Sequence, residues 1–329
     1  MSTRATPSIN DFYAEQSREQ RLVDCAASGS LADLARLLGG ESFPSTACLK
    51  ALRLAAECGH AGCVQLLIPV SGSRANLSEA LIDAARFGHA ECVKALIPVS
   101  EPHAKDGKAL VLAARFGHAK CVELLIPASN FNVDNYSWAL ASAAEDGRAE
   151  CIKLLIPFSD PKADNSYALR WAAYSGHAEC VKLLIPVSDP QDEESQALRW
   201  ASRGGHHECV KLLIPVSDPR ADNFASILDA IRGEHHQCVQ LLAEAASPPS
   251  PKTMLFAFEQ GRLPIIETLL GLDLSLIDGI DLPQAQRDAS TAGHAALASF
   301  ISSIIESQDL SQATASPDDA LPKAKSSRI

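Results

Sequence analysis

The stretch Ala168–Pro186 reads ALRWAAYSGHAECVKLLIP, and a close copy, ALRWASRGGHHECVKLLIP, begins twenty-nine residues later. The cysteine of this stretch marks the register of further copies. Cysteines occupy positions 63, 92, 121, 151, 180, 209 and 238, in steps of 29 or 30 residues. A fixed period of about 20–50 residues is typical of arrays in which each unit packs on its neighbours. The repeat therefore decides the fold.

Each copy has the pattern of two short helices. Leu169, Ala172 and Ala173 have the spacing i, i+3 and i+4, which places them on one face of a first helix. Gly176 is expected to end that helix, because glycine tolerates positive φ. Pro186 should stop a second helix over residues 178–185, because proline disfavours helical geometry in the residue before it. Serines just ahead of the first helices are expected to cap their free amides; these are Ser78, Ser137, Ser166 and Ser195.

These residues resemble the ankyrin repeat. The pattern of that family has an early leucine, an Ala-Ala pair, a Gly-His turn and a second helix of the form Val-Val-x-Leu-Leu. The matching positions here are Leu169, Ala172, Ala173, Gly176, His177, Val181, Leu183 and Leu184. The resemblance implies an all-α helical repeat solenoid whose general role is to bind other proteins.

The resemblance covers residues 21–305 as about ten repeats, with weak copies at both ends. Residues 1–20 are expected to be a flexible N-terminal arm, and residues 306–329 a disordered C-terminal tail, because both are polar and lack periodicity. The period is about four residues shorter than the family's 33. The missing residues fall in the loop that normally forms a β-hairpin finger, so short or absent fingers are expected.

The bulk composition excludes several classes of partner. The net charge of −11 and the pI near 5.4 argue against nucleic acid, which favours a basic surface. No apolar run approaches the roughly 20 residues that span a bilayer. We expect a monomer in the cytoplasm, or else in the nucleus or in a host cell.

The pairs of the form His-x-x-Cys, which recur from 60/63 to 235/238, each resemble half of a metal site. A closed zinc site needs four ligands around one ion, whereas equivalent residues of stacked helices lie roughly 8–10 Å apart. We therefore expect no metal and no cofactor, with the histidines bonded to backbone between repeats and the cysteines buried as small apolar residues. The same spacing argues against disulfides and favours a reducing compartment.

Arginine and aromatic residues recur in the first helices at positions that do not face the predicted core. These residue types are enriched at interaction hot spots. An alternative is that the tryptophans fill gaps between repeats and the arginines cover apolar surface; both interpretations stay open. The candidate partner-binding residues are Arg86, Phe87, Arg115, Phe116, Arg170, Trp171, Tyr174, Arg199, Trp200 and Arg203.

Three functional hypotheses follow. The first is a non-enzymatic interaction scaffold that holds a partner with acidic or aromatic features in the concave groove of the array. The second is a pathogen effector delivered into a host cell, motivated by the similarity of the copies and by the acid-poor first ten residues as an export segment. The third is a metal or thiol enzyme that uses the His-x-x-Cys array. No phosphate-binding glycine loop and no Ser-His-Asp order supports catalysis.

Overall fold

The computed structural model describes residues 9–128, 132–246 and 250–314. Within these ranges it contains twenty α-helices, a few 3-10 turns and no β-strand. The predicted all-α fold without β-hairpin fingers is confirmed. No helix among the described residues is long and apolar enough to cross a membrane.

Residues up to Ala197 form one compact unit. Its helices are α1 (Ile9–Ser28), α2 (Leu31–Gly40), α3 (Ser45–Glu57), α4 (Ala61–Leu67), α5 (Arg74–Phe87), α6 (Ala90–Leu96), α7 (Ala104–Arg115), α8 (Ala119–Leu125), α9 (Val133–Glu145), α10 (Ala149–Leu155), α11 (Ala163–Tyr174) and α12 (Ala178–Leu184). Odd-numbered helices pack on one another in one layer, and even-numbered helices pack in a second layer. Each odd and even pair is one repeat, with a first helix and a second helix.

Residues from Leu198 form a second compact unit. Helix α13 (Asp192–Arg203) contains the boundary. The helices that follow are α14 (His207–Leu213), α15 (Ala221–Arg232), α16 (His236–Ala245), α17 (Pro251–Glu259), α18 (Leu263–Leu272), α19 (Leu282–Thr291) and α20 (Ala295–Thr314). Within this unit the helices pack in two layers, since α15, α17 and α19 pack in succession, as do α14, α16 and α18. The described residues thus hold ten helix pairs, as the repeat predicts.

Much of the core consists of residues that recur from copy to copy. The alanine pair Ala172 and Ala173 is completely buried, as are Val181 and Leu184, and Cys180 is 1% exposed. Alanine side chains end at Cβ, so neighbouring helices can approach closely. The apolar second-helix residues then fill the space between the layers at the density of a protein interior.

The helices at the two ends of the chain extend past the predicted bounds of the repeat array, residues 21–305. Helix α1 begins at Ile9, inside the segment predicted as a flexible arm, and α20 continues to Thr314, inside the predicted tail. Neither stretch contains a glycine or proline that would stop a helix. Residues 1–8 and 315–329 lie outside the described residues, as does most of the Ser-Pro break at 247–251.

Three of the four serines predicted as helix caps, Ser78, Ser137 and Ser166, instead join neighbouring repeats. Ser137 lies within α9, where its hydroxyl donates to Val133 O at 3.0 Å and accepts the backbone N–H of Asp160 at 3.0 Å. Ser78 makes the equivalent pair of contacts in α5. The prediction was wrong because the amide that needs an acceptor belongs to the loop of the next repeat, 23 residues further on.

Several first helices of the first unit contain a left-handed turn. In α11 the turn comprises Asp164, Asn165 and Ser166, with φ between 49° and 57°. Left-handed geometry costs roughly 1–2 kcal/mol per residue, and Asp and Asn tolerate it better than most residues because their side chains bond locally. This turn sets the position of Asp164 in the groove between α9 and α11.

Candidate functional site

Five histidines at the turn between the two helices of a repeat bond to the preceding repeat. His177 Nε2 lies 3.0 Å from the carbonyl oxygen of Glu145 and therefore donates to it. Equivalent contacts at 2.8–3.1 Å join His60 to Ala27, His89 to Glu57, His118 to Arg86 and His235 to Arg203. The predicted backbone role of these histidines is confirmed. In the described part of the chain, no group of three or more His, Cys, Asp or Glu residues could hold a metal ion.

The cysteines of the repeat are buried, which makes their thiols poor nucleophiles. Burial raises the pKa of Cys92, Cys121, Cys151, Cys180 and Cys238 to about 11. A thiol with such a pKa stays protonated at neutral pH, and the thiolate is the nucleophilic form. All ten cysteines are free, and only Cys58 is exposed. Nothing in this arrangement activates a thiol.

Titration of the native protein at pH 8 with a thiol reagent should therefore show one fast equivalent, from Cys58. The eight buried cysteines should react only after unfolding, because they are inaccessible, and the half-buried Cys25 should react slowly. Absorbance of the released chromophore gives the number of thiols that have reacted. A Cys58→Ser variant should lose the fast phase, and several fast equivalents in that variant would contradict the buried array.

Arg199 and Arg53 occupy the same position in their first helices, and both bind the following repeat. Arg199 Nε lies 2.8 Å from Asp229 Oδ2, and its Nη1 lies 2.8 Å from Asp222 Oδ2. Arg53 is the equivalent residue in α3 and pairs with Asp83 at 2.7 Å. The Asp229 side chain is only 6% exposed. Arg199 thus joins two repeats, which is the packing alternative left open by the sequence.

Arginines near the turn differ in what they contact. Arg115 pairs with Asp146 of the next repeat at 2.9 Å. The Arg86 guanidinium lies 5.4 Å from the ring centre of Phe87 and 5.9 Å from that of Phe116. Both rings are exposed, at 42% and 39%. Three of the predicted residues thus form one exposed cluster, to which cation–π attraction contributes.

Arg170 and Trp171 are less accessible than the sequence suggests. The Arg170 side chain is 11% exposed, contacts Gln196, and pairs with Glu193 at 3.4 Å. Its guanidinium also lies 5.6 Å from the centre of the Tyr167 ring. Trp171 is half-buried. These two residues mainly support the repeat, and partner contact would reach only part of them.

Aromatic rings form a row along α9 and α11. The ring centres are 6.4 Å apart for Trp138 and Tyr167, 5.8 Å for Tyr167 and Trp171, and 5.6 Å for Trp171 and Tyr174. All three pairs meet edge to face, which is a favoured geometry worth about 0.5–1.5 kcal/mol per pair. Trp138 and Tyr174 remain 60% and 46% exposed. In the second unit, Trp200 is half-buried and Arg203 is exposed.

A groove of about 720 Å³ lies between α9 and α11, next to this aromatic row. Its lining residues are Asp134, Ser137, Trp138, Leu140, Ala141, Asp160, Pro161, Ala163, Asp164, Asn165, Tyr167, Ala168 and Arg170. The lining carries three carboxylates and one guanidinium. The guanidinium belongs to Arg170 and is bound to Glu193 and Gln196. The groove is therefore acidic, with an aromatic wall.

The candidate residues derived from the sequence missed most of this groove. Trp138 and Tyr167 occupy the same position in successive copies, 29 residues apart, and both are aromatic. The sequence therefore contained a signal for these two residues. The contribution of Asp134 was not detectable, because the equivalent residue one repeat later is Ala163. Only packing of α9 beside α11 brings these side chains to one groove.

Comparison with known proteins agrees with the architecture. A family model described as ankyrin repeats (3 copies) matches residues 22–106, 81–165, 140–224 and 169–253. Together these matches cover well over half of the 329 residues. The crystal structure of the human ASB11 ankyrin repeat domain is similar over 70% of this chain and 99% of that domain, with 19% identity and a TM-score of 0.46. No curated protein sequence matches this chain.

Proposed function

Because this chain belongs to the ankyrin repeat family, we propose that it binds a partner protein on the face formed by its first helices and catalyses no reaction. Ankyrin repeats generally mediate protein–protein interaction. A fold by itself does not define a function, so the proposal has to rest on the surface of this chain.

The observation that carries the proposal is the distribution of exposed aromatic rings. Among the described side chains, five aromatic residues are more than a third exposed. Four of them lie within a first helix or directly at its end: Phe87, Phe116, Trp138 and Tyr174. The fifth is Phe158, which follows a second helix. Exposed aromatic side chains are the type that anchors protein interfaces, so this distribution favours the first-helix face.

The test is quantitative affinity capture from a lysate of the source cells. Wild type is compared with a Phe87→Ala, Phe116→Ala, Tyr174→Ala triple variant, because these rings are exposed and their loss should leave the fold intact. Proteins enriched by wild type should be depleted about tenfold or more on the variant, since loss of interface anchors costs 2 kcal/mol or more. Isotope-labelled mass spectrometry measures the ratio.

The matched control is Phe158→Ala, which removes an exposed ring outside the first-helix face. It should capture the same proteins as wild type. Far-UV circular dichroism must show equal helix content in all variants. The proposal fails if the triple variant retains the wild-type set, or if Phe158→Ala depletes it equally.

The free thiols support a reducing compartment as the place of action. All ten cysteines lie in the described residues and none is in a disulfide. Free buried thiols are typical of cytosolic and nuclear proteins. We accordingly place this activity in the cytoplasm or nucleus, where the partner would also have to be present.

The two alternative hypotheses have less support. Delivery into a host cell depends on an export segment in the first ten residues, of which residues 1–8 lie outside the described residues. The thiol or metal enzyme depends on reactive cysteines. Burial raises the pKa of the repeat cysteines, and their companion histidines bond to backbone carbonyls.

A further inference from the structure

We infer that the acidic groove between α9 and α11 receives an arginine side chain from a basic segment of a partner protein. This inference rests on the proposed function and adds the chemistry of the partner. It departs from the expectation of a partner with acidic features, because the groove itself is acidic.

The groove has the size and shape of a side-chain site. Its volume of about 720 Å³ falls within the range of roughly 300–1,000 Å³ that is usual for ligand sites. Trp138 provides the wall, with 60% of its surface exposed, and Tyr167 stands edge-on beside it at 6.4 Å. Pro161 and Ala163, which are partly exposed, contribute apolar surface. A flat group with an aliphatic stem fits against such walls.

The charges of the groove favour the binding of a cation. The carboxylates of Asp134 and Asp164 are exposed, and among the described residues neither carboxylate takes part in a hydrogen bond or ion pair; Arg170 donates instead to the backbone carbonyl of Asp164. Among the described residues, the carboxylate of Asp160 accepts only the backbone N–H of Lys162, through Oδ1 at 3.0 Å. The single cation of the lining, Arg170, is already engaged with other side chains. A partner guanidinium would supply the missing positive charge.

Arginine satisfies both features of the groove better than lysine. The planar guanidinium stacks on an aromatic face and offers several N–H donors in a fork that matches carboxylates. Lysine offers a compact, strongly hydrated charge. The chain already contains this contact within itself, since guanidinium groups lie 5.4–5.9 Å from ring centres for Arg18 on Phe43, Arg86 on Phe87 and Phe116, and Arg232 on Phe256.

The test uses the full chain with ¹⁵N-labelled tryptophan and follows its three indole N–H signals by NMR. A Trp138→Phe variant identifies the Trp138 signal. The probe is a seven-residue glycine-serine peptide with one central arginine, at 150 mM salt. Matched peptides carry lysine or citrulline in place of arginine; citrulline keeps the shape of arginine and removes its charge. The arginine peptide should shift the Trp138 signal saturably, and the citrulline peptide should bind at least about tenfold more weakly.

Two double variants separate the groove from general charge. Asp134→Asn with Asp164→Asn removes two groove carboxylates, and asparagine tolerates the positive φ of residue 164. Glu91→Gln with Glu179→Gln removes two exposed carboxylates from second helices. The groove variant should weaken binding of the arginine peptide at least about tenfold, and the second-helix variant should leave it unchanged.

The outcomes that overturn the inference are distinct from failure of the proposed function. The inference falls if the Trp138 signal does not shift saturably, if lysine or citrulline peptides bind as tightly as the arginine peptide, or if both double variants weaken binding equally. In each case the capture experiment still stands, because its triple variant changes Phe87, Phe116 and Tyr174 and leaves the groove residues in place. If the triple variant loses partners in the capture experiment but the arginine peptide does not bind the groove, the proposed function is retained and this inference is rejected.

Discussion

A Leu155→Ala variant should lose about 3–5 kcal/mol of unfolding free energy, the upper part of the range for buried leucines. Leu155 is completely buried at the end of α10, which packs against α8, α9 and α12. The removed atoms leave a cavity between two helix layers that contact each other on several sides. Such a site relaxes little, so the cavity adds to the lost burial.

Urea denaturation followed by circular dichroism measures this change. Repeat arrays can unfold in parts, so the midpoint of the transition is compared before a free energy is derived. Lys153→Ala is the control from the same helix, because Lys153 is exposed and pairs only with Glu150, at 2.7 Å. Lys153→Ala should lower the free energy of unfolding by at most about 0.5 kcal/mol. Equal losses for both variants would show that α10 does not form the core described here.

A Gly147→Ala variant should lose about 2–3 kcal/mol of unfolding free energy, and the loss has two sources. Gly147 has φ +74°, where an L-residue is strained by about 1–2 kcal/mol. An added Cβ would also lie 2.6 Å from Nδ1 of His177. The ring would have to move, and that would disturb its hydrogen bond to Glu145 O, which is worth about 1 kcal/mol.

A double-mutant cycle with His177→Ala isolates the second source. Removing the ring gives the new methyl group room, so the double variant should lose less than the sum of the single losses, by about 0.5–1 kcal/mol. Gly39→Ala is the matched control, since Gly39 lies in α2 with no atom within 4 Å of an added Cβ. It should be neutral or stabilising by up to about 1 kcal/mol. Strict additivity in the cycle would mean that the Gly147 contact with His177 carries no energy.

Residues that contact a neighbouring repeat and residues that stay exposed have different roles in this chain. His177 and Cys180 recur, and the structure explains both by contacts within the array. Arg199 recurs in part and also contacts the next repeat. Asp134 is replaced by Ala163 one copy later and recurs as Asp192 in the copy after that, and its side chain makes no described intramolecular contact. In such an array, an exposed residue whose side chain contacts no other repeat is the better candidate for binding.

The predicted stripe of arginine and aromatic residues divides accordingly. Arg86, Phe87 and Phe116 remain together as an exposed cluster, whereas Arg115 and Arg199 join repeats through aspartates. The sequence cannot separate these cases, because both types of arginine stand on the same side of the first helix pattern. What distinguishes them is whether a carboxylate of the following repeat comes within reach.

The sequence by itself determined the helix pairs, their number and the buried residues. Periodicity, glycine at the turn and proline after the second helix act over a few residues, so a 29-residue copy contains all the information needed to form its two helices. Only the tertiary structure decided which polar residues join repeats and where a groove opens. Those outcomes depend on contacts between residues some 23–33 positions apart, such as Ser137 with Asp160 and His177 with Glu145. The groove exists because packing of α9 on α11 places Trp138, Tyr167 and three carboxylates around one space.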